Sequence, residues 1–161
     1  MSKTVVAYFS ASGKTDQVAK RIADRIGCET FEIKPKQPYT NEDLNWRSKS
    51  SRSTVEKSDK SSRPEVDSPK VDLSDVDTVF VGFPMWWYIA PTIVNTFLEA
   101  NDFSGKKIIL FATSGGSGFG KTVQNLKNSV AADADIVEGR VFSGSFTAED
   151  VDEFVDSIIQ Q

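Results

Sequence analysis

A strand-like apolar run that leads directly into a turn of small hydroxylated residues constrains this chain most. The run covers residues 5–9, and the turn covers residues 10–15, with the sequence Ser-Ala-Ser-Gly-Lys-Thr. Apolar side chains then recur at helical spacing over residues 15–26. A helix N-terminus after a tight turn presents free backbone N–H groups, and the helix dipole favours negative charge there. The segment therefore predicts an anion site, and we call residues 10–15 the phosphate loop.

Strand and helix patterns alternate along the rest of the chain. This alternation predicts the α/β fold class, with a three-layer α/β/α arrangement around a doubly wound, five-stranded parallel sheet of order 2-1-3-4-5. The predicted strands are 4–9, 29–33, 78–83, 107–112 and a weaker one within 136–142. The predicted helices are 15–26, 92–100, 120–131 and 148–159, the last with a near capping box formed by Thr147 and Asp150.

The length of 161 residues predicts a single domain over residues 1–161. Residues 34–75 differ in character from the rest, because they are rich in proline, serine and charged residues. We interpret them as a long polar excursion between the second and third strands rather than a second domain. The net charge of −4 argues against nucleic acid as a partner. For the oligomeric state we expect a monomer or a weak dimer.

The composition excludes several classes of chemistry. The chain has no histidine, which rules out Ser-His and Cys-His catalysis and removes the commonest transition-metal ligand. We therefore expect no metal site and no catalytic side chain, so that a bound cofactor would carry the chemistry. A single cysteine, Cys28, suits a reducing environment and is interpreted as core packing. An early strand leaves no room for a signal peptide and no run is long enough to span a membrane, so we expect a cytoplasmic protein.

Three loops of the predicted sheet converge where its winding reverses, outside the carboxyl ends of strands one, three and four. The first is the phosphate loop. The second, residues 84–88, carries two adjacent tryptophans and a tyrosine, and we call it the aromatic loop. The third, residues 113–120, is rich in glycine, so its backbone can approach a ligand closely, and we call it the glycine loop. A planar aromatic molecule that carries one phosphate satisfies all three loops, which predicts FMN as the cofactor.

A competing motif overlaps the glycine loop. Residues 115–122 match the nucleotide-binding pattern G-x-x-x-x-G-K-[ST] and lie between a strand and a helix. However, no apolar strand ends in an aspartate placed to hold Mg²⁺, and a nucleotide-binding interpretation leaves the aromatic loop unexplained. A P-loop nucleotide-binding protein is therefore the less favoured alternative.

The combination of these loops resembles the flavodoxin family, in particular its short bacterial FMN proteins of the Pro-x-Trp-Trp type. The resemblance rests on residues 8–15, on Gly82-Phe83-Pro84-Met85-Trp86-Trp87 with Ala90-Pro91 and residues 95–99, and on residues 113–118. It implies a flavodoxin-like fold with non-covalently bound FMN. Carried over by motif, the residues that would hold the phosphate are Ser10, Ser12, Gly13, Lys14 and Thr15. Those that would line the flavin ring are Pro84, Met85, Trp86 and Trp87, and those at its polar edge are Ser114, Gly115, Gly116, Ser117 and Gly118.

The resemblance implies electron transfer, and two forms of it remain open. In one, the protein is a carrier that moves electrons between redox partner proteins or small electron acceptors. In the other, it is an NAD(P)H-dependent FMN/quinone oxidoreductase. The sequence contains no separate nicotinamide-binding fingerprint, which favours the carrier. A module that binds FMN for interaction rather than redox chemistry is a third interpretation.

Overall fold

The computed structural model describes residues 3–10, 14–37, 39–40, 42, 44, 51–52, 55–56, 62–67, 70–85, 90–114, 118–143 and 146–159. Five strands form one parallel sheet, which confirms the predicted order 2-1-3-4-5. In the order of the sheet, these strands are β2 (Glu29–Glu32), β1 (Lys3–Tyr8), β5 (Val76–Pro84), β6 (Lys107–Ser114) and β7 (Asp135–Ser143).

Burial within the sheet follows the hydrophobicity of each strand. β5 and β6 lie inside the sheet and are almost continuously buried, as expected of strands covered on both faces. β2 lies at one edge, and its side chains are exposed except for the half-buried Phe31. β7 forms the other edge and is longer than its sequence pattern predicts. Its pattern is weak because the strand is mostly half-buried and is interrupted by Gly139, opposite a bulge between Leu110 and Phe111.

Helices cover both faces of the sheet. On one face, α1 (Lys14–Ile26) packs beside the C-terminal helix Ala148–Ile159, which we number α4. α2 (Thr92–Glu99) and α3 (Thr122–Leu126) supply buried residues to the core on the other face. The predicted capping box of α4 is present, with reciprocal hydrogen bonds from Thr147 N to Asp150 Oδ2 (2.9 Å) and from Asp150 N to Thr147 Oγ1 (3.2 Å).

The helix predicted over residues 120–131 is wrong in length. α3 ends at Leu126 and continues as one turn of 3₁₀ helix, Lys127–Ser129. A buried side chain from α2 accounts for the change, because Asn95 Nδ2 donates to the Asn125 carbonyl (3.2 Å) and to Ser129 Oγ (2.9 Å). A longer helix would orient the Asn125 carbonyl and the Ser129 hydroxyl differently, and their bonds to Asn95 would be lost.

The excursion leaves and rejoins the domain through a short antiparallel pair, β3 (Lys34–Pro35) with β4 (Val66–Asp67). It begins at the carboxyl end of the sheet, where Ile33 N donates to the Tyr8 carbonyl, and Tyr39 packs its ring 5.5 Å from that of Phe9. The single-domain assignment over residues 1–161 stays a prediction. In the part of the chain that the structure describes, no helix combines the length and the apolar character needed to cross a membrane.

Candidate functional site

The carboxyl ends of β1, β5 and β6 are adjacent, and hydrogen bonds tie the segments that follow them together. Phe9 N donates to the Gly82 carbonyl at 2.9 Å, which fixes the end of β1 against β5. Met85 N donates to the Thr113 carbonyl at 2.8 Å, which fixes the start of the aromatic loop against β6. These bonds bring the three predicted loops to one edge of the sheet, as the topology predicts.

Thr113 joins the loops through its side chain as well. Its Oγ1 lies 2.9 Å from Oγ1 of Thr15, and the two residues are only 6% and 1% exposed. The pair therefore locks the first turn of α1 onto the end of β6 in a place that excludes water. Thr113 is a residue of the glycine loop that the sequence did not single out. A bond between residues so far apart in the chain leaves no local signal in the sequence.

The predicted site residues that the structure describes differ in accessibility. Lys14 and Gly118 are exposed, and Thr15 is buried with its hydroxyl engaged by Thr113. The half-buried ones are Ser10, Pro84, Met85 and Ser114. The remaining predicted residues lie outside the described part of the chain, namely Ser12, Gly13, Trp86, Trp87, Gly115, Gly116 and Ser117.

An acidic residue in the first turn of α1, Asp16, has partners of its own. Asp16 accepts a hydrogen bond from the Tyr8 hydroxyl and forms an ion pair with Lys20 at 3.1 Å. Burial, followed by the bond to Asp16, raises the pKa of Tyr8, so the phenol keeps its proton. Burial also pushes the pKa of Asp16 upward, but the Tyr8 and Lys20 bonds outweigh it and the pKa is lowered. The carboxylate is thus compensated locally, which leaves the helix N-terminus favourable to an anion.

α2, which follows the aromatic loop, is held by a polar network. Asn95 donates to Ser129 Oγ, and Ser129 Oγ donates to Glu99 Oε2 at 2.7 Å. Arg63 completes the network through Nε, 3.0 Å from Glu99 Oε1. This bond to Arg63 lowers the pKa of the Glu99 carboxyl despite its partial burial, and the Ser129 bond adds to the effect. The network explains why Asn95 and Glu99, which the sequence linked to the family only by resemblance, occur together on this helix.

The described residues offer neither a metal site nor an activated thiol. No group of three or more carboxylate or thiol ligands converges among them. Cys28 is half-buried and packs against the core beneath α1 and α4. Burial raises the pKa of its thiol, which therefore stays protonated and unreactive near neutral pH.

The geometry at Thr122 disfavours the P-loop interpretation. In a P-loop, the hydroxyl at this position of the motif ligates Mg²⁺. Here Thr122 is fully buried, and its Oγ1 donates to the Phe119 carbonyl and lies 3.9 Å from Met85 Sδ. α3 is also only a five-residue helix. The hydroxyl therefore connects the aromatic loop to the glycine loop instead of facing a nucleotide.

Comparisons with known proteins agree with this architecture. A family model described as Flavodoxin matches residues 3–158. The chain is 42% identical to a provisionally assigned flavoprotein of Bacteroides uniformis ATCC 8492, with a TM-score of 0.89 over 96% of this chain and 98% of that one. A similar protein of Bacteroides eggerthii DSM 20697 is 40% identical, with a TM-score of 0.87 over 99% of both chains.

A more distant structure shares the fold. It is a flavoprotein of Lactobacillus acidophilus NCFM solved in complex with FMN, which is 21% identical, with a TM-score of 0.66 over 96% of this chain and 99% of that one. A comparison with curated proteins finds no significant match.

Proposed function

The chain belongs to the flavodoxin family, and from this premise we propose that it binds FMN non-covalently and transfers electrons between redox partners. The observation that carries the proposal is the junction at Thr113. Its hydroxyl bonds to Thr15 and its carbonyl accepts from Met85, so the end of the phosphate loop meets the starts of the aromatic and glycine loops. The family supports FMN as the cofactor, and so does the Lactobacillus acidophilus flavoprotein solved with FMN.

The donors at this edge fit the phosphate of FMN. The N-terminus of α1 supplies backbone N–H groups, Ser10 supplies a hydroxyl, and the exposed Lys14 supplies a positive charge. The negative charge of Asp16 is partly offset by its ion pair with Lys20. We propose the full phosphate set as Ser10, Ser12, Gly13, Lys14 and Thr15.

The aromatic and glycine loops would hold the flavin ring. Met85 is half-buried beside Thr122, and it places a polarisable sulfur at the start of the aromatic loop. We propose Pro84, Met85, Trp86 and Trp87 for the ring, and Ser114, Gly115, Gly116, Ser117 and Gly118 for its polar edge.

The side chains of the protein would position and shield the cofactor, and the cofactor would supply the redox chemistry. FMN, when bound, accepts and returns electrons. The Thr15–Thr113 bond holds the phosphate loop and the glycine loop at a fixed separation. The Asn95–Ser129–Glu99 network holds α2, which follows the aromatic loop, against the 3₁₀ turn Lys127–Ser129. Pre-positioned groups of this kind bind a ligand without first having to be ordered.

Two measurements test the proposal. For the cofactor, we expect purified protein to be yellow, or to quench added FMN, and to release FMN rather than FAD on denaturation. Protein that neither contains nor binds FMN would contradict this part of the proposal.

For electron transfer, we expect FMN-loaded protein to show no sustained NADH or NADPH oxidation with a quinone, and to accept electrons once a separate flavoprotein reductase is added. Sustained oxidation without that reductase would replace the carrier with the NAD(P)H-dependent oxidoreductase. We also propose a cytoplasmic location, which the single, unpaired Cys28 supports.

A further inference from the structure

The polar excursion contains a compact group of three interacting side chains, Tyr39, Arg52 and Glu56, which we call the tyrosine cluster. The Tyr39 hydroxyl donates to Glu56 Oε1, and Arg52 Nε donates to Glu56 Oε2 at 2.9 Å. The Arg52 guanidinium lies over the Tyr39 ring, with Cζ 3.8 Å from the ring centroid. Arg52 Nη1 also donates to the Gln37 carbonyl at 2.7 Å. These contacts hold the Tyr39 ring between its own segment and residues that follow much later in the excursion.

The tyrosine cluster is well shielded for a segment of this composition. The Arg52 and Glu56 side chains are 21% and 12% exposed, whereas those of the Lys36–Glu65 ion pair in the same excursion are 68% and 74% exposed. A shielded ion pair is screened less by salt than an exposed one. A segment with few apolar residues buries little surface of its own, so polar contacts of this kind are what can fix its side chains in place.

The Tyr39 ring reaches the start of the phosphate loop. It packs against the ring of Phe9, with centroids 5.5 Å apart and planes inclined at 60°. Phe9 is only 1% exposed and directly precedes Ser10, the first residue of the loop. The backbone of Phe9 is held by β5, because its N–H donates to the Gly82 carbonyl at 2.9 Å. The side chain of Phe9 therefore rests on the excursion, while its backbone is fixed to the sheet.

The phosphate loop is thus held at its two ends by different parts of the chain. The Thr15–Thr113 bond holds the end that enters α1, and the contact between Phe9 and Tyr39 supports the end that leaves β1. A loop held at both ends presents its donors without first having to be ordered by the ligand. Phe9 precedes the phosphate loop and neither of the loops proposed for the flavin ring, so loss of this support should act on phosphate binding.

We propose that Tyr39, held by Arg52 and Glu56, is a positioning residue for the phosphate loop, and that the excursion thereby helps the protein to select FMN over riboflavin, which lacks the phosphate. The inference rests on the proposed function, since it assigns the excursion to the same site. Tyr39 acts through Phe9 and the loop, without contact to the flavin.

The test titrates wild type and variants with FMN and with riboflavin, and follows flavin fluorescence. Tyr39→Ala removes the ring that supports Phe9, so FMN has to order the start of the loop. Ordering the backbone of one residue corresponds to about five- to thirtyfold in affinity, which is the loss we expect for FMN. The affinity for riboflavin should stay at the wild-type value. Tyr39→Phe keeps the ring on Phe9 and should recover most of the FMN affinity.

Two charge substitutions in the excursion form a matched pair. Arg52→Gln removes the cation that lies over Tyr39 and bonds to Glu56, so it should weaken FMN binding but not riboflavin binding. Lys36→Gln removes the same charge from an exposed ion pair outside the tyrosine cluster, so it should keep wild-type affinity for both flavins.

Opposite outcomes would overturn the inference. Equal weakening of FMN and riboflavin binding by Tyr39→Ala would exclude a role specific to the phosphate end, and so would unchanged FMN affinity in this variant. An equal loss of FMN affinity in Arg52→Gln and Lys36→Gln would mean that only the charge of the excursion matters. Should Tyr39→Ala not fold, Arg52→Gln against Lys36→Gln decides the question. A wild-type protein that binds neither FMN nor riboflavin would instead refute the proposed function.

Discussion

Replacing Thr113 with valine removes one of the two hydroxyls that join the phosphate loop to the glycine loop. The Thr15 hydroxyl is then left alone in a site where Thr15 is only 1% exposed, and water cannot readily replace its partner. A buried polar group that loses its partner costs about 1–3 kcal/mol in the free energy of unfolding. Thr15→Val should cost a similar amount, because it leaves the Thr113 hydroxyl without its partner. The double variant replaces both hydroxyls by methyl groups of similar shape, so it should lose less than the two single losses added together.

Urea unfolding of the apoprotein measures this coupling without involving the cofactor. We expect a favourable interaction energy between Thr15 and Thr113 of about 0.5–3 kcal/mol from the double-mutant cycle. Thr30→Val on the exposed edge strand β2 serves as the control, and it should change stability by no more than about 0.5 kcal/mol. Strictly additive losses at Thr15 and Thr113 would show that the two hydroxyls are not coupled, which would refute the junction as we describe it.

Three further predictions follow from individual contacts. Gly82→Ala should destabilise the fold by more than about 1 kcal/mol in urea unfolding, because a Cβ there would lie 2.1 Å from Cζ of the Phe111 ring; Gly118→Ala, with open space around it, is the stability control. Glu99→Gln should destabilise the protein by about 1 kcal/mol or less near pH 7. The pKa of Glu99 is lowered in the folded state, so the ionised carboxylate stabilises the protein above the ordinary pKa of 4.5, and this stabilisation disappears as pH falls through the pKa of the folded state. A difference in stability between the variant and wild type that persists unchanged at pH 3 would contradict this. Lys14→Gln should weaken FMN binding less than tenfold, and the loss of affinity should be smaller at high salt, because Lys14 is exposed. A larger loss of affinity that does not depend on salt concentration would mean that Lys14 forms a buried ion pair.

The sheet could be predicted from sequence because its inner strands are continuous apolar runs. β5 and β6 are buried on both faces, and the residues that form them show this directly. β7 was less well defined because an edge strand buries less, and because Gly139 breaks the pattern. A Cβ at Gly139 would lie 2.3 Å from the Leu110 carbonyl oxygen, so tertiary packing rather than strand propensity selects this residue. The length of α3 was also set by tertiary contact, through the Asn95 side chain of another helix.

The features of the site that follow from the strand order could be predicted from the sequence. The order of the strands places the phosphate, aromatic and glycine loops at one edge, and the residues of those loops indicate the ligand. The sequence could not show that Thr15 pairs with Thr113, nor that Asp16 is compensated by Tyr8 and Lys20, because these contacts depend on the packed fold.

The central claim is that FMN binds at the carboxyl edge of the sheet, across the loops that Thr113 joins. Amide chemical shifts of ¹⁵N-labelled apoprotein, followed while FMN is added, test it most directly. The account predicts that the amides of Ser10, Thr15, Met85 and Ser114 shift on binding. Ser74 and Ser104 lie near Lys106 at the opposite edge of the sheet, and the chemical shifts of their amides should not change. Shifts confined to the opposite edge, or an unchanged spectrum at saturating FMN, would contradict the account.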